Sequence, residues 1–421
     1  MRRIVVCLAL VAALLTVAAL VTRPHADPVS AAPAADPLTT RVARAQQHLR
    51  DVPGDWSGWA ALGAAYLEQA RVTSDPALYP RAEQAARKSL SLRRNGDALV
   101  VLGALANARH DFATARDQAT AALRLEPGDG DAYGVLVDAL TQLGDATGAT
   151  DAVQHMLDTR PGLAAYARAS YDLELRGKLD PAEALMRRAL ADAVDPHDAA
   201  FCHTQLGDLA FGRGDLRSAA DEYAFALAAD PAAPAAQRGR ARVRFAQGDV
   251  AGALADFADL TARLPGPGYL IEYAELLNLA DRPAEAAEQL TLATAAQQLF
   301  TANGGRDDLA TAALALASGD PAAAVKAARA EWSRRHHPDV ADTLAWSLHA
   351  AGRDAEALPL AEQAVAGGAH PATYAYHLGV IELSLGRTAA ARTELTRALA
   401  TNPYFSPIDA PNARRALGGL R

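Results

Sequence analysis

Along most of this chain, apolar and small residues recur with helical rather than strand spacing. In the stretch LGDLAFGRGDLRSAADEYAFALAADP, residues 206–231, Leu206, Gly207 and Ala210 fall three and four apart and so share one helix face. Gly214 supplies a left-handed turn that ends this helix. Ala219, Tyr223 and Ala226 then repeat the i, i+4, i+7 spacing on a second helix, and Pro231 follows its end. The pattern predicts a helix hairpin in which Gly207 and Ala219 allow a close crossing.

The hairpin recurs. Pro127, Pro161, Pro196, Pro231 and Pro265 are 34, 35, 35 and 34 residues apart. Gly144, Gly177, Gly214, Gly248, Gly319, Gly352 and Gly386 run in parallel, each followed by a charged or polar residue that opens another alanine-rich segment. Such a period marks a repeat array. One hairpin cannot bury its own apolar stripe, so it stacks on the next. About ten units are expected, beginning near residues 56, 96, 130, 163, 200, 234, 267, 304, 338 and 372. Residues 38–49, with Leu38, Val42, Ala45 and Leu49 at helical spacing, predict an N-terminal capping helix. Ala413, Ala416 and Leu417 predict a short closing one.

The units closely resemble the tetratricopeptide repeat, whose pattern is W-x2-L-G-x2-Y, then A-x3-F-x2-A, then P. Trp59, Leu62, Gly63 and Tyr66 match the first helix in full. Leu102, Gly103, Ala115, Ala119, Ala122 and Pro127 match in the second unit, and Leu378, Gly379, Gly386, Ala391, Leu395, Ala398 and Pro403 in the tenth. The resemblance implies an all-α fold, a right-handed superhelix (α-solenoid) of about ten hairpins with terminal caps. Departures are local. Residues 68–82 read as an extra exposed loop in unit one, His110 takes the turn-glycine position of unit two, and units seven and eight are the least regular.

Composition narrows the class. Half of the 421 residues are hydrophobic but only 5% are aromatic, which favours alanine-rich helices over a β core. A formal charge of −8 argues against a general nucleic-acid binder. Cys7 and Cys202 are the only cysteines, too far apart in context to form a disulfide framework or metal pair. Cys202 reads as a small buried helix residue. The start MRR, the uncharged apolar run 4–21 and the Ala/Pro-rich tract after it read as an export signal or an uncleaved membrane anchor. The expected organisation is therefore 1–35 as signal or anchor with linker and 36–421 as the solenoid, exported, and either membrane-tethered by one helix or secreted.

No phosphate loop, nucleophile elbow or paired-histidine metal helix is present, so the chain reads as non-catalytic, with neither cofactor nor metal. His336 and His337 before Pro338 read as a solvated turn between units. Arg238, Arg240, Arg242 and Arg244 spread over several faces and are expected to pair with acids such as Asp221 and Glu222, with an anion or acidic-peptide contact as the alternative. By resemblance, partners dock in a concave groove lined by positions 2, 5, 9 and 12 of each first helix. Carried over, this gives Asp138, Tyr171, Asp208, Arg242, Phe245, Glu275, Trp346, His349 and Tyr376, with Trp346 and Tyr376 either the expected anchor or aromatics packed between repeats. The lysine and asparagine that clamp a peptide carboxylate in the chaperone-binding branch are absent; Thr204 and Asp208, or Asp342 and Trp346, stand there instead. The function expected is a protein-interaction scaffold in the cell envelope that binds a partner protein or peptide segment. A self-associating structural protein or membrane-complex assembly protein is the alternative.

Overall fold

Among the described residues ten helix hairpins follow one another; seven turn at a left-handed glycine, as the spacing predicts, and units one, two and seven turn at Ser74, His110 and Asp281 instead. The computed structural model describes residues 37–369 and 371–420, among which there are 22 helices and no strands. The account below concerns the unit that begins at Val42. The hairpins start at Trp56, Gly96, Gly130, Leu163, Pro196, Pro234, Pro267, Asp308, Pro338 and Ala372, and the helix Asp409–Gly419 follows them. Ahead of unit one, Val42 and Leu49 pack on Leu62 and Tyr66.

Units five and eight begin four residues from the expected places. Pro196 opens its helix, since proline suits the first helical position, where its missing N–H costs nothing, and Asp195 caps it. In unit eight the aspartate cap is Asp307, so residues 304–307 belong to the junction. Several turns are a glycine–aspartate pair. Gly144, Gly214 and Gly248 adopt left-handed backbone, and Asp145, Asp215 and Asp249 then accept the N–H of Gly148, Ser218 and Gly252. That bond satisfies one of the orphan donors at each helix start.

Two local expectations change. The extra residues of unit one do not form a long loop: they extend the first helix to Thr73, leaving only Ser74, Asp75 and a short 3-10 turn at Pro76–Leu78 before the second helix. Gly207 does not serve a backbone crossing. It makes room for the ring of Tyr223, which is buried between Gly207 and Gly239 and donates its hydroxyl hydrogen to Asp208 at 2.6 Å. At Gly63 the neighbours are backbone atoms of Ala82 and Ala86 together with a methyl of Val101, so close helix approach operates there. Cys202 is fully buried, as expected, beside Met186 and Leu206, and burial pushes its thiol up to about 11.

The array winds back onto itself along a seam. The Arg306 N–H donates to the Arg109 carbonyl at 2.9 Å, and the His336 N–H to the Leu143 carbonyl at 3.2 Å. Arg335 donates to the Gln142 side chain at 2.9 Å and Asn402 to the Phe211 carbonyl at 2.7 Å, across 193 and 191 residues of sequence. The turn inside unit two thus meets the junction opening unit eight, and unit three's turn meets the junction opening unit nine. The seam corrects half of the reading of His336 and His337 as a solvated turn: the His336 side chain is exposed as expected, but His337 is not. His337 is 1% exposed and accepts the Asp339 N–H at the helix start, and burial holds its imidazole below the usual range against the opposing charge of Asp339.

Candidate binding groove

The first helices present polar side chains to an inner wall, and most of these are already engaged. Asp138 accepts two bonds from the Arg168 guanidinium, at 2.9 and 2.8 Å. Asp208 holds the Tyr223 hydroxyl. The four arginines of unit six divide into two i, i+4 pairs: Arg238 and Arg242 converge on Glu272 of the next unit, and Arg240 and Arg244 on Asp256 of their own second helix. The expected partners were Asp221 and Glu222. Glu222 instead takes His203 at 2.7 Å and Arg187 at 3.5 Å. Burial alone would raise the Glu272 carboxyl, but the two guanidiniums outweigh it and bring it down to about 2.

The nine groove candidates fall into separate groups. Trp346, His349 and Tyr376 meet at one place, where Trp346 stacks on His377 with centroids 4.0 Å apart and leans on Tyr376 at 5.9 Å. His377 lies 2.9 Å from the Asp342 carboxylate, and His349 2.6 Å from Asp354. Tyr376 is 4% exposed and packs beside Phe405. The pair expected to anchor a partner is therefore packed between units and under the chain that follows unit ten, so Tyr376 offers no free face. Tyr171, 39% exposed, does face the interior. Burial pushes its phenol up, with Asp339 adding to the shift.

Arg242, Phe245 and Glu275 line a cavity of about 400 Å³ together with Phe211 and the segment 403–414. Arg242 is spent on Glu272, at 2.8 and 3.0 Å. The Glu275 carboxylate has no hydrogen-bond or ion-pair partner among the described residues, and burial pushes it up to about 7, with Glu272 and Asp409 adding and Arg242 opposing. Glu174, on the inner wall of unit four, behaves alike: burial raises it to about 7, with Asp208 and Asp339 adding. Glu174 and Phe211 are absent from the candidates although both occupy position 12 of their expected helices, so the positional rule reached them. No sequence signal placed residues 403–414 over the cavity.

Among the described residues no cluster of histidine, cysteine, aspartate or glutamate is placed to hold a metal ion, and no helix is long and apolar enough to cross a membrane. The apolar run 4–21 lies outside the described residues.

The family model described as "Tetratricopeptide repeat" matches residues 96–164, 204–268 and 343–404. Among solved structures, a tetratricopeptide repeat protein from Parabacteroides merdae is 18% identical, covering 61% of this chain and 98% of its own, with a TM-score of 0.36. A thermophilic repeat protein of the same kind from Thermus thermophilus is 22% identical over 43% of this chain and 98% of its own, with a TM-score of 0.39. Yeast Tom70 is 14% identical over 90% of this chain and 88% of its own, with a TM-score of 0.44. No protein of curated description matches the chain.

Proposed function

Because the chain belongs to the tetratricopeptide repeat family, we propose that it is a protein-interaction scaffold of the cell envelope that holds a partner segment against its inner wall. Proteins of this family bind other proteins or peptides and are generally non-catalytic scaffolds. The observation that carries the groove reading is Tyr171, a large aromatic side chain left open on a wall whose other polar groups are mostly paired. Exposed aromatics of this kind dominate binding energy in protein contacts. A wall built from first helices in series suits an extended or helical segment engaged at several points.

The basic start and apolar run at the N-terminus support export, and N-terminal sequencing of the mature protein separates a tether from a cleaved signal: a start at Ala32 or Ala35 removes the anchor. Site-specific photocrosslinking tests the groove. A benzophenone amino acid replaces Tyr171 on the inner wall or Ala255 on the exposed face of a second helix. Adducts from position 171 and none from 255 are expected in envelope preparations. Adducts from 255 alone would move the binding face to the outside of the array.

A further inference from the structure

The cavity beside Glu275 is closed on one side by chain that follows the last repeat. Asn402 ties that chain to unit five through the Phe211 carbonyl, and the Tyr404 N–H donates to the Asn402 side chain at 2.8 Å. Ser406 and Asp409 bond each other reciprocally at 3.0 Å, and Arg414 donates back to the Pro403 carbonyl. These bonds hold Phe405 and Tyr404 opposite Phe211, Phe245 and Phe257. The walls are aromatic and the volume lies within the usual range for a small-ligand site. The charges around it are committed: Arg242 to Glu272, Arg414 to a carbonyl, Asp409 to Ser406. Glu275 alone among them has no partner.

We infer that this cavity takes a cationic side chain, arginine or lysine, from the partner segment, with the Glu275 carboxylate as its counter-ion and the phenylalanine rings as its walls. The inference rests on the groove reading and deepens it. A guanidinium or ammonium stem is apolar along its length and charged at its tip, so it matches a pocket that is aromatic at the sides and anionic at one point. The cation also supplies the partner that Glu275 lacks. An anionic side chain would meet an uncompensated carboxylate, and an aliphatic one would leave it unpaired.

The probes are capped alanine–serine pentapeptides whose central residue is arginine, lysine, norleucine or glutamate, titrated calorimetrically into the full chain at pH 8. Arginine and lysine peptides are expected to bind about tenfold tighter than norleucine or more, as for a charge-assisted hydrogen bond. Glu275→Gln abolishes that preference and leaves norleucine binding unchanged, and its melting curve verifies the fold. The preference narrows about tenfold from pH 8 to pH 6, because the carboxyl facing Glu272, Asp409 and Arg242 titrates near 7 and the peptides do not titrate there. Equal binding of arginine and norleucine, tighter binding of glutamate, absence of binding by any probe, or a preference that survives Glu275→Gln each overturns the inference. Crosslinking from Tyr171 is independent of these outcomes. Adducts there, with no cationic preference here, sink the cavity and spare the groove.

Discussion

Two sets of turns share one backbone geometry and differ in what surrounds them. Gly144 and Gly177, at φ 85° and 70°, lie on the seam, whereas Gly248 and Gly352, at 89° and 71°, lie away from it. All four end a first helix in left-handed backbone, a conformation that costs other residues roughly 1–2 kcal/mol. A Cβ added at Gly248 or Gly352 would meet nothing within 4 Å. At Gly144 it would stand 2.6 Å from the His336 carbonyl oxygen, and at Gly177 2.5 Å from that of Gly368. The open turns thus need glycine for backbone freedom alone, and the seam turns need it also for room. One repeat position carries two unlike constraints, and only the local one has a period.

The comparison breaks most visibly under alanine. Gly144→Ala and Gly177→Ala should each destabilise by about 3 kcal/mol or more, since left-handed strain adds to overlap with backbone that cannot rotate away. Gly248→Ala and Gly352→Ala should cost about 1–2 kcal/mol, the strain alone. Urea unfolding followed by circular dichroism measures all four. Equal costs in both sets would mean that the seam yields easily. Unit two shows what the seam accepts instead of glycine. His110 takes the left-handed position at φ 59°, and its ring stacks on Phe112 at 5.4 Å and meets Phe300 at 5.7 Å.

These differences explain what could be read from the sequence. Unit number, hairpin order, turn glycines and both caps follow from spacings of 3, 4 and 34 or so residues, because each is fixed by a helix period or a hairpin length. Pro196 misled as a unit end because proline both follows one helix and opens the next. The seam has no such signature. Its contacts join residues such as Gln142 and Arg335, 193 positions apart, and depend on how far the superhelix turns per unit. The same blindness affected the site. A positional rule states which face of a helix a residue occupies, as for Tyr376, but not whether Phe405 arrives to cover it.

A second contrast separates inner wall from outer surface. Glu285, on the exposed surface, is held below the usual carboxylate range by Arg282, while burial raises Glu174 and Glu275 to about 7. A folded-state value above the unfolded one, roughly 4.3, means that the native protein binds more protons between the two. Stability therefore falls as pH rises from about 4.5 to 7 and stays low above. Removing either charge should flatten that group's share of the profile. Glu174→Gln or Glu275→Gln is expected to stabilise the protein at pH 8 by about 1–2 kcal/mol, after allowance for partial solvent access, and to change little at pH 5. Melting temperatures at both values measure it, and a gain at pH 5 equal to that at pH 8 would remove burial of charge as the cause.

The finest test holds the glycine constant and changes the residue after it. Asp145 follows a seam glycine and Asp249 an open one, and each accepts a backbone N–H three residues on at 2.9 Å. If the seam acts through space at Gly144 and not through the cap, the two aspartates contribute alike. Asp145→Ala and Asp249→Ala should then each cost about 1 kcal/mol and agree to within about 0.5 kcal/mol. A markedly larger loss at Asp145 would show that fraying the second helix of unit three also loosens the junction before unit nine. In that case the cap and the distant contact form one cooperative element, and the separation of local from long-range constraints at these turns fails.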